Sequence, residues 1–180
     1  MRASIATLCA VACVCVSCAG GAFDSDAEWR ALKQRIERRF PDAPGMPVDA
    51  LVARLDGAGA TNTLLLDARA PEEYAVSHLP GARLTQGYDE AVAALRAAGT
   101  GATAVVYCSV GYRSADLVSQ LRSNGWTNTV NLTGSLFEWA NEGHPVFRGT
   151  NPVHSVHPYD RTWGRLLNSV LWPESWARPE

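Results

Sequence analysis

Hydrophobic positions change their spacing several times along the 180-residue chain, and each change predicts an element. From Ser25 to Arg39, Trp29, Leu32 and Ile36 recur on one face and Ser25 and Glu28 have capping-box spacing, which predicts a helix stopped by Phe40 and Pro41. Its other face carries Arg30, Lys33, Arg35, Arg38 and Arg39. This reads as a solvated face, with contact to an anionic membrane surface as the alternative. Pro41 to Pro47, with three prolines and one glycine, predicts a linker. Val48 to Leu55 predicts a short helix, and Asp56 to Gly59 a turn into the strand Thr63 to Leu66, whose continuous apolarity marks a central strand buried on both faces. Tyr88 to Ala98 reads as an alanine-rich helix ended by Gly99, Thr103 to Tyr107 as a strand, and Ser114 to Ser123 as a helix stopped at Asn124 and Gly125. A strand from Thr129 to Leu132 and a short helix through Leu136, Phe137 and Trp139, ended by Gly143, follow. Strands alternating with helices predict an α/β domain with a mainly parallel sheet.

Past Phe147 the alternation stops. Trp163, Leu166, Leu167, Val170 and Leu171 recur at helical spacing before Trp172 and Trp176, which predicts a helix docked on the domain. A membrane or partner contact is the sharper reading of three tryptophans so close together.

The N-terminus has a different pattern. Arg2 is the single cation of Met1 to Ala22; an apolar stretch from Ile5 to Val16 and small residues from Ser17 to Ala22 complete the outline of a secretory leader. The stretch falls short of the roughly 20 residues that span a bilayer. Cleavage after Ala22 is one expectation. The other is a lipobox at Cys15 to Cys18, with Cys18 lipidated and anchoring the chain, although Cys15 stands where an aliphatic residue is usual. Either way the chain is expected to be exported, to the bacterial periplasm or envelope.

The leader changes the meaning of the cysteines. Of five, Cys9, Cys13, Cys15 and Cys18 lie in it, so Cys108 stands alone in the body and no intramolecular disulfide is expected there. An unpaired thiol in an exported protein is a liability unless it is buried or used. Composition is that of an ordinary globular domain, 47% apolar and 19% charged. The formal net charge of -2 argues against a nucleic-acid partner bound by phosphate neutralisation. His144, His154 and His157 are near one another in sequence, but no cysteine or convincing carboxylate completes a ligand set, so neither a metal nor another cofactor is expected.

Cys108 ends the apolar run that begins at Ala104, and a loop with one glycine, Gly111, leads to Ser114. A strand-loop-helix turn of this kind aims backbone N–H groups and the positive end of the helix dipole at the sulfur. Arg113 adds a permanent cation. Both effects lower a thiol's pKa and raise its thiolate fraction, which makes Cys108 the candidate nucleophile and Ser109, Val110, Gly111, Tyr112 and Arg113 its candidate binding loop. At the carboxyl end of the preceding strand, Asp67 and Arg69 fall on the edge where ligands bind in open α/β sheets, and they are expected to support the loop through ion pairing and hydrogen bonds.

The loop from Cys108 to Arg113 resembles the active loop of rhodanese sulfurtransferases, where it holds a terminal persulfide sulfur; the loop of cysteine phosphatases is one residue longer. A second stretch agrees: Leu64 to Arg69, then Pro71 to Tyr74, then His78 to Ala82. The resemblance covers roughly Pro47 to Phe147, the size of a compact domain. It implies a rhodanese-like α/β fold with a mainly parallel central sheet flanked by helices, with terminal helical extensions added. The organisation expected is a leader at 1–22, a helix and linker at 23–46, the domain at 47–148 and a Trp-rich extension at 149–180.

The activity implied is sulfur transfer through a Cys108 persulfide, from a small donor to a thiol or other nucleophilic acceptor. A non-catalytic binding or persulfide-sensing module is the alternative. Phosphatase or arsenate reductase action is disfavoured by the short loop and, for the reductase, by the lack of a second cysteine in the body. The loop has no cation besides Arg113 for a thiosulfate dianion, and Glu73 stands in a region where thiosulfate-using enzymes can carry an arginine. It also lacks the pattern of the mercaptopyruvate enzymes. The resemblance places His78 in a structural motif.

Overall fold

The computed structural model describes residues 25–177. The expected leader, with Cys18, lies outside them. In chain order the elements are helix α1 (Ser25–Arg39), strand β1 (Gly45–Met46), α2 (Val48–Asp56), β2 (Thr63–Asp67), α3 (Pro71–Val76), β3 (Arg83–Leu84), α4 (Tyr88–Ala98), β4 (Thr103–Tyr107), α5 (Tyr112–Ser123), β5 (Thr129–Leu132), α6 (Ser135–Asn141), the hairpin strands β6 (Val146–Arg148) and β7 (Asn151–Val153), and α7 (Glu174–Ala177). Five strands form one sheet in the order β1-β5-β4-β2-β3, every pair parallel.

Residues of β2 and β4 alternate between the two faces, and both faces are apolar, as in a sheet covered by helices on each side. Leu65, Val105 and Tyr107 face a core shared with α1, α2 and α6. Leu64, Leu66, Ala104 and Val106 face a second core closed by Ala91, Val92 and Leu95 of α4 and Leu117, Val118 and Leu121 of α5. The result is a three-layer α/β domain, with the carboxyl ends of β2 and β4 in register at Asp67 and Tyr107. Cys108 follows at that edge.

The short strands β3, β6 and β7 are absent from the sequence reading, and three further details differ from it. The proline-rich linker contains β1, which pairs Gly45 and Met46 with Asn131 and Leu132 and forms one sheet edge. Helix α5 begins at Tyr112 rather than Ser114, because Gly111 is its N-cap residue at φ +102°, so Arg113 belongs to the first helical turn. The C-terminal segment docks on the core through Leu166 and Leu167, but as two 3-10 turns, Trp163–Leu166 and Ser169–Leu171, instead of one helix. Asn168 breaks the continuity: its side chain accepts from Val170 N–H and its own N–H donates to Asn141 Oδ1 at 2.8 Å. Among the described residues no helix is long and apolar enough to cross a membrane.

Both extensions share the domain's core. Leu32, Ile36 and Phe40 of α1 are buried in the same cluster as Leu136 of α6 and Leu166 of the C-terminal segment. Lys33 pairs with Glu138 across the α1–α6 seam.

Candidate functional site

Backbone bonding sets the shape of the Cys108 loop. Cys108 O and Ser109 O accept from Leu136 N at 3.1 Å and Phe137 N at 3.0 Å, so the start of α6 satisfies the loop's carbonyls from outside. Ser135 Oγ accepts from Cys108 N at 3.1 Å. Asn131, a polar residue inside β5, holds the far end of the loop: its Nδ2 donates to Gly111 O at 3.2 Å and its Oδ1 accepts from Ser114 Oγ at 2.6 Å. With its carbonyls held outside, the loop turns the Gly111 N–H inward, where it donates to Cys108 Sγ at 3.2 Å. That amide orientation requires Gly111's positive φ, which a residue with a side chain adopts only under strain.

Cys108 is 1% exposed, yet its thiol is held below the usual cysteine range. Burial pushes it up. The Arg113 charge, the Ser114 hydroxyl and amide and the Gly111 amide outweigh that burial and favour the thiolate. Ser114 Oγ lies 3.5 Å from Sγ, and its one proton serves the sulfur or Asn131, whichever acceptor is more negative.

Arg113 does not point its donors at the sulfur. Its Nη1 and Nη2 donate to Glu73 Oε2 and Oε1 at 2.7 and 2.8 Å, and Nη2 also reaches Ser109 Oγ at 3.1 Å. Its effect on Cys108 is therefore that of a nearby charge. Glu73 is 2% exposed and accepts in addition from Ser109 Oγ at 2.9 Å and Ala70 N at 3.0 Å. Burial pushes its carboxyl up; Arg113 and the Ala70 amide override this and hold it below the ordinary glutamate value. The sequence reading did not include Glu73 in the site. The available signal was Pro71 at the first position of α3, since a Glu two positions on returns its carboxylate to the N-cap amide, at the sheet edge that also carries Cys108.

Asp67 and Arg69 lie under this site as a closed pair. Arg69 Nε donates to Asp67 Oδ1 at 2.9 Å and Nη2 to Oδ2 at 2.7 Å, both side chains are 0% exposed, and Nη2 also donates to Ser77 O at 2.6 Å. Ala68 N donates to Tyr107 O at 2.8 Å, which ties the segment to the strand that delivers Cys108. The pair braces the α3 connection, and neither residue lines the cavity at the sulfur.

His78 has a purely structural set of contacts. Nδ1 lies 2.9 Å from Leu79 O, which can only accept, and Nε2 accepts from Gly149 N at 3.2 Å, so the neutral ring with its proton on Nδ1 satisfies both. The ring stacks on Tyr74. His144 sits 3.3 Å from Glu142 and against Trp139, and His154 is exposed. Among the described residues no group of three or more His, Cys, Asp or Glu is arranged to hold a metal.

A cavity of about 130 Å³ opens over Cys108, bounded by Ser109, Val110, Tyr112 and Arg113 of the loop and by Tyr159 and Trp163 of the C-terminal segment. Tyr112 packs edge-on against Phe40 of α1, with ring centres 5.1 Å apart. The sequence reading did not place Tyr159 or Trp163 in the site, because nothing local to either residue reports a contact with a loop some fifty residues earlier in the chain.

Comparison with known proteins agrees with this geometry. The family described as "Rhodanese-like domain" matches residues 47–142. The chain is 33% identical over 85 residues to the probable adenylyltransferase/sulfurtransferase MoeZ of Mycobacterium tuberculosis, covering 45% of this chain and 21% of that protein. It is 30% identical over 97 residues to the uncharacterized protein slr1261 of Synechocystis, covering 52% of this chain and 51% of that one. The chain thus spans about half or less of these curated relatives. Among solved structures, a thiosulfate sulfurtransferase from Pseudomonas aeruginosa superposes with a TM-score of 0.57 at 20% identity, over 76% of this chain and 26% of that one. A Rhodopseudomonas palustris protein described as a possible tyrosine phosphatase, RPA3614, gives 0.51 at 19%, over 66% and 93%. At such identities these two likenesses establish the fold alone. The family match takes in just over half of the chain, and on it the chain belongs to the rhodanese-like domain family.

Proposed function

We propose that the chain is a sulfurtransferase that carries sulfane sulfur on Cys108 from a small donor to a thiol or other nucleophilic acceptor. The observation that carries this reading is the state of the thiol: it is wholly buried, yet held toward the thiolate by the Gly111 amide, Ser114 and the Arg113 charge. An inert core cysteine has apolar neighbours and a raised pKa. The Mycobacterium relative's description as a probable sulfurtransferase supports the same class. A persulfide left on Cys108 after the first half-reaction keeps its negative charge near the same donors, the logic of an oxyanion hole applied to sulfur. With no second cysteine in the body, the sulfur leaves to an external acceptor, and two half-reactions on one residue give ping-pong kinetics. The proposal extends to export behind the N-terminal leader, with Cys18 as the candidate lipid anchor.

Replacing Cys108 by Ser tests the assignment. Sulfur release from donor to acceptor should fall to background while the circular dichroism melt stays near that of the wild type. Retained transfer in the Ser variant would remove Cys108 from the chemistry.

A further inference from the structure

The donor is left open by the sulfur-transfer reading, on which this inference rests. Two of the residues lining the cavity over Cys108 come from outside the matched domain, Tyr159 and Trp163, and with Tyr112 of the loop they bound a volume of about 130 Å³. That is well below the ~300 Å³ at which pockets begin to enclose drug-sized molecules.

These walls are fixed in place. Asp160 Oδ1 accepts from Thr162 N and Trp163 N at 2.7 Å, and Asn141 Nδ2 donates to Leu166 O at 2.7 Å, which joins the turn to α6. Tyr159 sits in the left-handed region at φ +67°, a rare conformation for a bulky residue, with its N–H donated to His157 Nδ1 at 3.0 Å. That conformation lays its ring over the Arg113 guanidinium, 4.8 Å from centroid to Cζ. Strain of this kind persists where the surroundings over-determine it, and it gathers at ligand clamps.

The charge of the cavity is as restrictive as its size. Among the described residues Arg113 is its one cation; two of its nitrogens are committed to Glu73 and one of its faces to Tyr159. A dianion entering here meets a single guanidinium already paired with Glu73, a sulfur that this same charge holds toward the thiolate, and three aromatic rings.

We propose that Tyr159 and Trp163 form a donor-selecting wall, and that the donors selected are compact persulfides, R–S–SH with R a small apolar group, in preference to thiosulfate and to bulky peptide persulfides. In the transfer, the Cys108 thiolate attacks the outer sulfur. The new Sγ–S bond forms as the donor's S–S bond breaks, and the electron pair leaves on the inner sulfur, which takes the donor's proton to become R–SH. The sulfane sulfur stays as the Cys108 persulfide anion, and no external oxidant is consumed.

The test uses ethyl persulfide, glutathione persulfide and thiosulfate as donors to the full chain, with sulfur gain on Cys108 followed by rapid-quench mass spectrometry. The wild type should load from ethyl persulfide about tenfold faster or more than from either of the others. In Tyr159→Ala and in Trp163→Ala, the rate with glutathione persulfide relative to ethyl persulfide should rise about fivefold, while Tyr159→Phe keeps the wild-type ratio. Tyr159 is 43% exposed, so its variants read the wall without emptying the core. Faster loading from thiosulfate, or a ratio that neither Ala variant moves, overturns the donor-selecting wall and leaves sulfur transfer standing. No uptake from any of the three overturns both.

Discussion

Two carboxylate–arginine pairs stand near the carboxyl edge of the sheet, and their surroundings give them opposite roles. Asp67 and Arg69 are 0% exposed and bond to each other and to Ser77 O. Glu73 is equally buried, but its partner Arg113 keeps 34% of its side chain exposed, lies under Tyr159 and borders the cavity at Cys108. The first pair spends its charge on local backbone geometry. The second uses one carboxylate to orient a guanidinium whose remaining field reaches the sulfur. The same chemical pair is thus a brace where it is sealed and an electrostatic device where one partner opens onto a cavity.

Breaking the sealed pair has the largest expected effect. Asp67→Ala leaves Arg69 buried without its partner and should lower stability by about 3 to 5 kcal/mol, read from denaturant melts. The pH midpoint of Cys108 alkylation should stay where it is in the folded variant; a shifted midpoint would erase the distinction between the two pairs. Arg113→Gln should show the reverse weighting. Its stability cost is smaller, about 1 to 2 kcal/mol, since solvent screens the arginine and Glu73 keeps its Ser109 and Ala70 donors when the guanidinium is gone. The alkylation midpoint, however, should move up, because the strongest influence lowering the thiol is gone. An unmoved midpoint would assign the thiolate to Gly111 and Ser114 alone.

Acid sharpens the contrast further. Glu73's carboxyl is held below its ordinary value in the fold, so its contribution is complete above the ordinary glutamate range and disappears as the pH falls through the lowered value. Melting temperature against pH should show this acid limb in the wild type, and the limb should be shallower in Glu73→Gln. The smallest effect belongs to Ser114→Ala, which removes one hydroxyl near the sulfur and the bond to Asn131. About 1 kcal/mol of stability and a slight upward shift of the alkylation midpoint are expected.

How much of this could be read from the chain depends on how local each cause is. Helices α1 and α4 and strand β4 take their bounds from periodicity and terminal residues, and the observed ranges agree with the sequence reading. Strand β1 was not legible, since a two-residue edge inside a proline-rich stretch exists only through its pairing with β5. The helix after the loop begins two residues earlier than its apolar positions Leu117, Val118 and Leu121 indicate, because the αL glycine before Tyr112 serves as its cap. Cys108, Gly111 and Arg113 were legible as one strand-loop-helix constellation. Asn131, Ser135, Tyr159 and Trp163 were not, for each acts on the loop from a distant part of the chain, and only the fold brings them together; of Glu73 the sequence shows the helix-start signal beside Pro71 but not its pairing with Arg113.

The central claim, that Cys108 carries sulfur, is tested most directly by the intact mass of the protein before and after a sulfane-sulfur donor, and again after a thiol acceptor. The account predicts a gain of one sulfur, about 32 Da, localised to Cys108 and lost when the acceptor is added. An unchanged mass with every donor would contradict it and leave the cleft as a binding site without transfer chemistry.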